Sequence, residues 1–149
     1  MSETTYQWMA QNGYDFDAID LQGHYGKTAL MKAAREGDER IVRELLLCGA
    51  DISIKNIDGN TALWLSCFGE NPAVVKMLID AGIEIDTVNV NGVTPLMYAA
   101  SSGKEKMVKM LLDAGADCRI KNPDDFSALD LAVTPAILKR LRNAQLMRG

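Results

Sequence analysis

A shift of 33 residues brings much of this chain into register with itself, and this repeat limits the possible folds more than any other feature. Segments 26–58 and 92–124 are identical at 18 of 33 positions. Segment 59–91 lies between them and shares a glycine, a threonine and two leucines with both, at Gly59, Thr61, Leu63 and Leu78. A fixed period of this length indicates stacked supersecondary units. We therefore divide the chain into these three full repeats, an N-terminal cap (1–25) and a C-terminal cap (125–149).

Each repeat predicts two helices. A threonine precedes the first apolar run of every repeat, and threonine is a preferred N-cap residue; the three are Thr28, Thr61 and Thr94. A second helix is expected to begin near residues 39, 72 and 105. Its apolar residues recur at helical spacing and form one stripe, and the first repeat supplies Ile41, Val42, Leu45 and Leu46. Glycine then ends each second helix at the C′ position; these glycines are Gly49, Gly82 and Gly115.

The two ends of the chain carry altered units. At the N-terminus, Tyr6–Asn12 resembles a second helix, with Met9 and Ala10 in the places of the paired leucines. At the C-terminus, Thr134 and Pro135 predict the start of a closing helix, whose inward residues are Ile137, Leu138 and Leu141. A helical hairpin of this length cannot bury its own apolar face, so the hairpins are expected to stack and share one core.

The repeat pattern closely resembles the ankyrin repeat. The best copy runs from Gly92 through Thr94-Pro95-Leu96 to Gly103, and it follows the family pattern of a β-turn and two helices with a period of 33. The resemblance extends from residue 26 to about residue 141. It implies an all-α solenoid of stacked helix-turn-helix units joined by β-turn or hairpin loops, in a single domain over 1–149. It also implies a role in binding other proteins.

Some positions depart from the family pattern. The family's histidine is replaced in every unit; the replacements are Met31, Trp64, Met97 and Asp130. In the second repeat the turn glycine becomes Glu70, and Gly69 stands one place earlier. The second repeat is therefore the least regular.

Composition and charge narrow the classes of partner and the compartment. The net charge is −4 and no large basic field is present, so neither nucleic acid nor an anionic membrane is expected as a partner. No apolar run has the length of a transmembrane helix, and no secretory signal is visible at the N-terminus. The three cysteines are unclustered, which suits a reducing compartment. We therefore expect a cytoplasmic protein.

The residue types and spacings in this sequence do not indicate a catalytic or metal-binding site. Cys48 and Cys67 lie at helix positions that carry alanine in other repeats, and we interpret both as buried structural cysteines. His24, the single histidine, lies in a different repeat from Cys67, which argues against a Cys–His pair. Asp15 and Asp17 lie in a turn that lacks the glycine and glutamate of a calcium loop. We expect no enzyme activity, no cofactor and no metal.

The resemblance implies a binding groove formed by the turn tips and the exposed side of the first helix of each repeat. Transferring these positions to this chain gives the predicted binding residues: Tyr25, Lys27, Arg35, Lys55, Ile57, Asp58, Trp64, Phe68, Val90, Val93, Tyr98 and Phe126. Several are apolar where polar side chains are usual, and aromatic anchors with a polar rim are typical of a binding hot spot. Alternatively, β-branched residues stiffen the turns and Trp64 packs between repeats. We favour a structural role for Trp64 and a binding role for Phe68.

These observations leave more than one class of function open. The first is a monomeric interaction module, such as an adaptor, an inhibitor or a regulatory subunit, which binds a partner protein. The second is a small-molecule or enzymatic role, which requires an enclosed pocket with convergent polar groups. The third is self-association through the apolar strip of the predicted groove.

Overall fold

The computed structural model of this chain describes residues 1–147. These residues form two compact units, an N-terminal unit, Met1–Ile83, and a C-terminal unit that begins at Glu84. The helices of the N-terminal unit are α1 (Glu3–Gln11), α2 (Ala29–Glu36), α3 (Glu39–Leu47), α4 (Ala62–Gly69) and α5 (Pro72–Asp80). Those of the C-terminal unit are α6 (Pro95–Ser101), α7 (Glu105–Asp113), α8 (Ala128–Leu131) and α9 (Pro135–Met147). The predicted all-α fold is confirmed.

The helices of the three full repeats begin and end where the sequence predicts. The Thr28 and Thr94 hydroxyls accept hydrogen bonds from the backbone N–H groups of Met31, at 3.2 Å, and of Met97, at 3.1 Å. Thr61 occupies the same position without a side-chain cap. The second helices begin at Glu39, Pro72 and Glu105. The glycines that follow them have positive φ angles, which glycine adopts at little cost.

The core of each unit is built by packing equivalent helices of successive repeats. In the N-terminal unit α2 packs against α4, α3 against α5, and α1 against α3. In the C-terminal unit α6 packs against α8 and α7 against α9. Most of the predicted apolar stripe is buried: Val42, Leu45 and Leu78 are fully inaccessible, whereas Leu46 is only half-buried because it lies at the edge of the stripe. Each hairpin is thus covered by its neighbour, as expected for repeats that cannot bury their own apolar faces.

An asparagine braces the turn that precedes α4, α6 and α8. The Oδ1 atom of Asn89 accepts the backbone N–H groups of Asn91, at 2.9 Å, and of Val93, at 3.0 Å. Asn56 and Asn122 form the same pair of bonds in their own turns. The three asparagines are spaced by 33 residues and hold the turn tips in one conformation.

The N-terminal cap is anchored by Glu44 of α3. Helix α1 begins earlier than the predicted segment 6–12, because Ser2 caps it. The Glu44 carboxylate accepts hydrogen bonds from the Ser2 N–H at 2.6 Å, from the Ser2 hydroxyl at 2.8 Å, and from the Thr5 hydroxyl. The Thr5 and Ser2 bonds stabilise the charged form and lower the pKa of Glu44 to about 2.

Some residues differ from the prediction. Cys48 is exposed, because it caps the C-terminus of α3 beyond the last turn that faces the core. Ala10 is also exposed, so Met9 alone fills the leucine places of the cap. Leu138 is half-buried, whereas Ile137 and Leu141 are fully buried. Within residues 1–147, none of the helices combines the length and apolar character needed to span a membrane.

Candidate functional site

A groove of about 400 Å³ lies in the N-terminal unit, between the turn tips and the exposed sides of α2 and α4. The structure brings six of the predicted binding residues together here: Tyr25, Lys27, Arg35, Asp58, Trp64 and Phe68. Three further lining residues were not predicted as binding residues: Asn56, Asn60 and Leu65. Aromatic, cationic and amide groups therefore converge in this one groove.

The cationic side of the groove is built from Arg35 and Phe68. The Arg35 guanidinium lies over the Phe68 ring, with its carbon 4.6 Å from the ring centroid, a favourable cation–π distance. The two residues occupy equivalent positions in successive repeats, one residue before the ends of α2 and α4. Both are exposed, and 47% of the Phe68 surface remains accessible.

Gly69 permits this close approach. A Cβ atom at Gly69 would lie 2.7 Å from the carbonyl oxygens of both Ala34 and Arg35. Only a residue without a side chain lets the end of α4 sit this close to the end of α2. The residue that follows α2 has a left-handed backbone conformation and is a glycine, Gly37. The equivalent residue after α4 is Glu70, which has the same conformation with a φ of 58°. The irregular Gly69-Glu70 sequence of the second repeat thus has a geometric reason.

Tyr25 forms the outer wall of the groove in a strained conformation. Its φ is 58° and its ψ is 21°, a left-handed conformation that costs a residue with a side chain about 1–2 kcal/mol. The Tyr25 carbonyl accepts the Ile57 N–H at 2.9 Å. Tyr25 is 60% exposed, and the centre of its ring lies 5.9 Å from the Lys27 Nζ. Backbone strain of this kind clusters at functional sites.

The floor of the groove is polar. The Asn60 N–H donates to Asn56 Oδ1 at 3.0 Å, and the Asn60 side chain is buried. Among residues 1–147, no donor reaches the buried Asn60 Oδ1 atom. An unsatisfied buried acceptor costs about 1–3 kcal/mol. Asn60 is not one of the predicted binding residues, and nothing in the sequence signals its burial.

Lys55 and Ile57 flank the groove without lining it. Both are exposed, Ile57 at 67%. Gln22 braces this turn by donating from Nε2 to the Gly26 carbonyl at 2.8 Å and to the Lys55 carbonyl at 2.9 Å. Both residues thus belong to the fixed turn that supplies Asn56 and Asp58 to the groove.

The remaining predicted binding residues lie in the C-terminal unit. Val90 and Phe126 are exposed, at 69% and 48%, whereas Val93 and Tyr98 are half-buried. The turns that carry Val90 and Phe126 lie close together. A Cβ atom at Gly92, in the first turn, would approach the Pro123 ring, in the second, to 2.5 Å. The continuity of these residues with the groove stays a prediction.

The residues considered for catalysis or metal binding lie in surroundings that are typical of structural residues. Cys67 is fully buried and His24 is exposed. Asp15 accepts the Asp17 N–H at 2.9 Å as the cap of a short helix. Among residues 1–147, no three His, Cys, Asp or Glu side chains are grouped so that they could hold a metal ion. The groove is open to solvent and lined by the polar and aromatic residues named above.

Ionisable groups away from the groove have pKa values shifted by local contacts. Hydrogen bonds from the Ser53 hydroxyl and N–H lower the pKa of Asp51. The N–H and hydroxyl of Ser127 lower the pKa of Asp130. Burial, followed by the charge of Glu36, raises the pKa of Tyr14. These shifts follow from turn and cap geometry, so they do not identify a catalytic acid or base.

Comparison with known proteins agrees with the repeat geometry. A family model described as ankyrin repeats (three copies) matches residues 2–89 and again 30–122. No curated protein matches the chain. Ankyrin repeats are in general protein–protein interaction modules, and they are in general non-catalytic. The matched residues cover most of the sequence, and the chain therefore belongs to the ankyrin-repeat family.

Proposed function

We propose that this chain is a non-catalytic module that binds a partner protein through the groove of the N-terminal unit and the adjoining turn tips. The observation that carries the proposal is the exposed Phe68 ring beneath the Arg35 guanidinium. Large aromatic side chains and arginine dominate the binding energy of protein interfaces. The module acts as an adaptor, an inhibitor or a regulatory subunit.

The exposed rings would contribute part of the binding free energy. Burying a large apolar side chain completely is worth about 1.5–3 kcal/mol. Phe68 and Tyr25 are each about half accessible in the free protein, so covering one ring by a partner is worth about 1 kcal/mol. Loss of the Arg35 contact adds to this. We expect Phe68→Ala to weaken partner binding by at least about tenfold, or about 1.4 kcal/mol.

A small-molecule or enzymatic role is the alternative. Small-molecule sites enclose most of their ligand in a concave pocket, whereas this groove is open along its length. Self-association through the exposed apolar residues is a further alternative, and light scattering measures it directly. The small number and unclustered spacing of the cysteines in the sequence support our proposal of a reducing, cytoplasmic location for a monomeric protein.

Affinity capture with matched variants tests the proposed function. The full chain and its Phe68→Ala/Ile57→Ala variant serve as bait for a lysate of the cells that express it. Leu47→Ala is the control, because Leu47 is 80% exposed but lies on α3, whose neighbours in the stack are α1 and α5. We expect a specific protein that wild type and Leu47→Ala retain and the double variant loses. Equal retention by all three proteins would contradict the proposal.

Thermal unfolding must accompany the capture experiment. Because Phe68 is half exposed, we expect Phe68→Ala to change the free energy of unfolding by less than about 1 kcal/mol. A large loss of stability would place Phe68 in the core and would remove the argument for a binding role.

A further inference from the structure

The groove is a cationic site in an acidic unit. Residues 1–83 carry seven lysines and arginines against twelve aspartates and glutamates. The average surface of this unit therefore repels acidic partners. Two of the seven cations, Lys27 and Arg35, nevertheless line the groove, and the exposed Lys55 directly precedes the lining residue Asn56.

The cations of the N-terminal unit divide into two groups by their partners. Four of them pair with a carboxylate one helical turn away: Lys32 with Glu36 at 3.6 Å, Arg40 with Glu44 at 3.9 Å, Arg43 with Glu39 at 3.0 Å, and Lys76 with Asp80 at 2.9 Å. The other three have no ion-pair partner among residues 1–147; they are Lys27, Arg35 and Lys55. The lysines and arginines of this unit that lack a carboxylate partner are thus the two that line the groove and Lys55 in the adjoining turn.

Aromatic faces hold two of these cations in place of carboxylates. The Arg35 guanidinium lies over the Phe68 ring, and the Lys27 Nζ lies 5.9 Å from the centre of the Tyr25 ring. The N–H groups of a guanidinium lie in its own plane and can donate to a carboxylate in a bidentate geometry. Each cation of the groove therefore stands beside an exposed apolar surface.

We propose that the groove recognises an acidic peptide segment of the partner, in which an Asp or Glu stands next to a large apolar residue. The carboxylate pairs with Arg35 and Lys27, and the neighbouring apolar side chain covers Phe68 and Tyr25. This inference rests on the proposed function and names the chemistry of the partner. Asp58, the one carboxylate among the described lining residues, excludes a continuous run of acidic side chains across the groove.

Nucleic acid offers negative charge as well, but the surroundings oppose it. Nucleic-acid sites place many cations along a phosphate backbone, whereas here an acidic surface surrounds the few cations of the groove. An apolar side chain beside a single carboxylate satisfies both the rings and the guanidinium. Binding of an oligonucleotide is therefore an outcome that would overturn the proposal.

Selection from a phage-displayed library of random dodecapeptides tests this chemistry on the full chain. We expect enriched peptides to share an Asp or Glu next to Phe, Leu or Trp. Enrichment of basic or neutral peptides that Phe68→Ala loses would overturn the acidic preference and leave the proposed function standing. Failure to enrich any peptide that depends on the groove would count against both. A labelled single-stranded oligonucleotide that binds as tightly as the selected peptide, and through Arg35, would overturn the proposal.

Fluorescence anisotropy with a synthetic copy of the selected peptide then measures the role of the charge. We expect Arg35→Gln to weaken binding by at least about tenfold, and the control Arg43→Gln, whose arginine is already paired with Glu39, by less than about twofold. Raising the salt from about 0.05 M to about 0.5 M should weaken binding to wild type several-fold, because salt screens the exposed carboxylate pair.

A charge swap separates recognition from a general loss of structure. Arg35→Glu should bind a peptide in which lysine replaces the acidic residue more tightly than it binds the original peptide. Thermal unfolding should show that both Arg35 variants keep the wild-type midpoint, since Arg35 is exposed. Equal affinity of wild type and Arg35→Gln, or failure of the swap in a folded variant, would overturn the proposal.

Discussion

Gly69→Ala tests the close approach on which the groove depends. In most helices this substitution stabilises a protein, because alanine has a higher helix propensity than glycine by about 1 kcal/mol. At Gly69 the added methyl group would lie 2.7 Å from two backbone carbonyl oxygens at the end of α2. Neither oxygen can turn away as a flexible side chain could. The end of α4 must therefore move.

The expected magnitude follows from these opposing effects. Forcing an extra carbon into a closely packed contact costs about 1–3 kcal/mol, and the contact here involves two backbone atoms. The gain in helix propensity offsets part of this cost, so we expect a net destabilisation of about 1–2 kcal/mol. For a chain of this length the midpoint of thermal unfolding should fall by roughly 2–8 °C.

Thermal unfolding followed by circular dichroism measures this change, and Ser102→Ala is the control. Ser102 holds the equivalent position in the third repeat and is exposed, so its substitution should change stability by less than about 0.5 kcal/mol. Because Gly69→Ala also moves Phe68 away from Arg35, it should weaken binding of a groove ligand as well. A Gly69→Ala protein as stable as wild type would refute the reasoning.

Three further predictions concern strain, turns and pH. Tyr25→Gly should raise stability by up to about 1 kcal/mol, because glycine accepts the left-handed conformation, yet it should weaken groove binding; a loss of stability above that size would contradict this. Asn89→Ala should cost about 1–2 kcal/mol in chemical denaturation, because it removes two hydrogen bonds to the turn, whereas Asn91→Ala at the exposed tip should be nearly neutral. The pKa of Glu44 is about 2 in the folded protein, against an ordinary 4.5. Its contribution to the free energy of unfolding is therefore complete above pH 4.5 and is lost as the pH falls towards 2. Glu44→Gln should flatten this acid dependence in unfolding titrations, and an unchanged pH profile would contradict the role of Glu44.

The sequence contains enough information to predict the helices and the packing order. The period of 33 and the recurring threonines locate the first helix of each full repeat, and a glycine ends the second helix of each full repeat. The boundaries agree closely because the same local interactions recur in each repeat, as at Thr28 and Thr94. Even the structural asparagines share this period, so comparing Asn56, Asn89 and Asn122 would have revealed the braced turns.

The groove depends on distances that no sequence pattern encodes. The pairing of Arg35 with Phe68 follows from the approach of two helix ends at Gly69, and helix patterns do not predict such an approach. Tyr25 lies in a turn that differs from the turns of the other repeats. Comparing the repeats therefore does not predict its left-handed backbone conformation. The exposure of Cys48 depends on where α3 ends relative to the core, and an alignment with alanines elsewhere does not reveal this.

Amide chemical shifts of the isotope-labelled chain, recorded with and without its captured partner or the selected peptide, test the central claim most directly. The account predicts that the largest changes occur at groove residues, with Arg35, Asn60 and Phe68 among them. Large changes confined to the outer helices α3 and α5, with the groove unaffected, would contradict it.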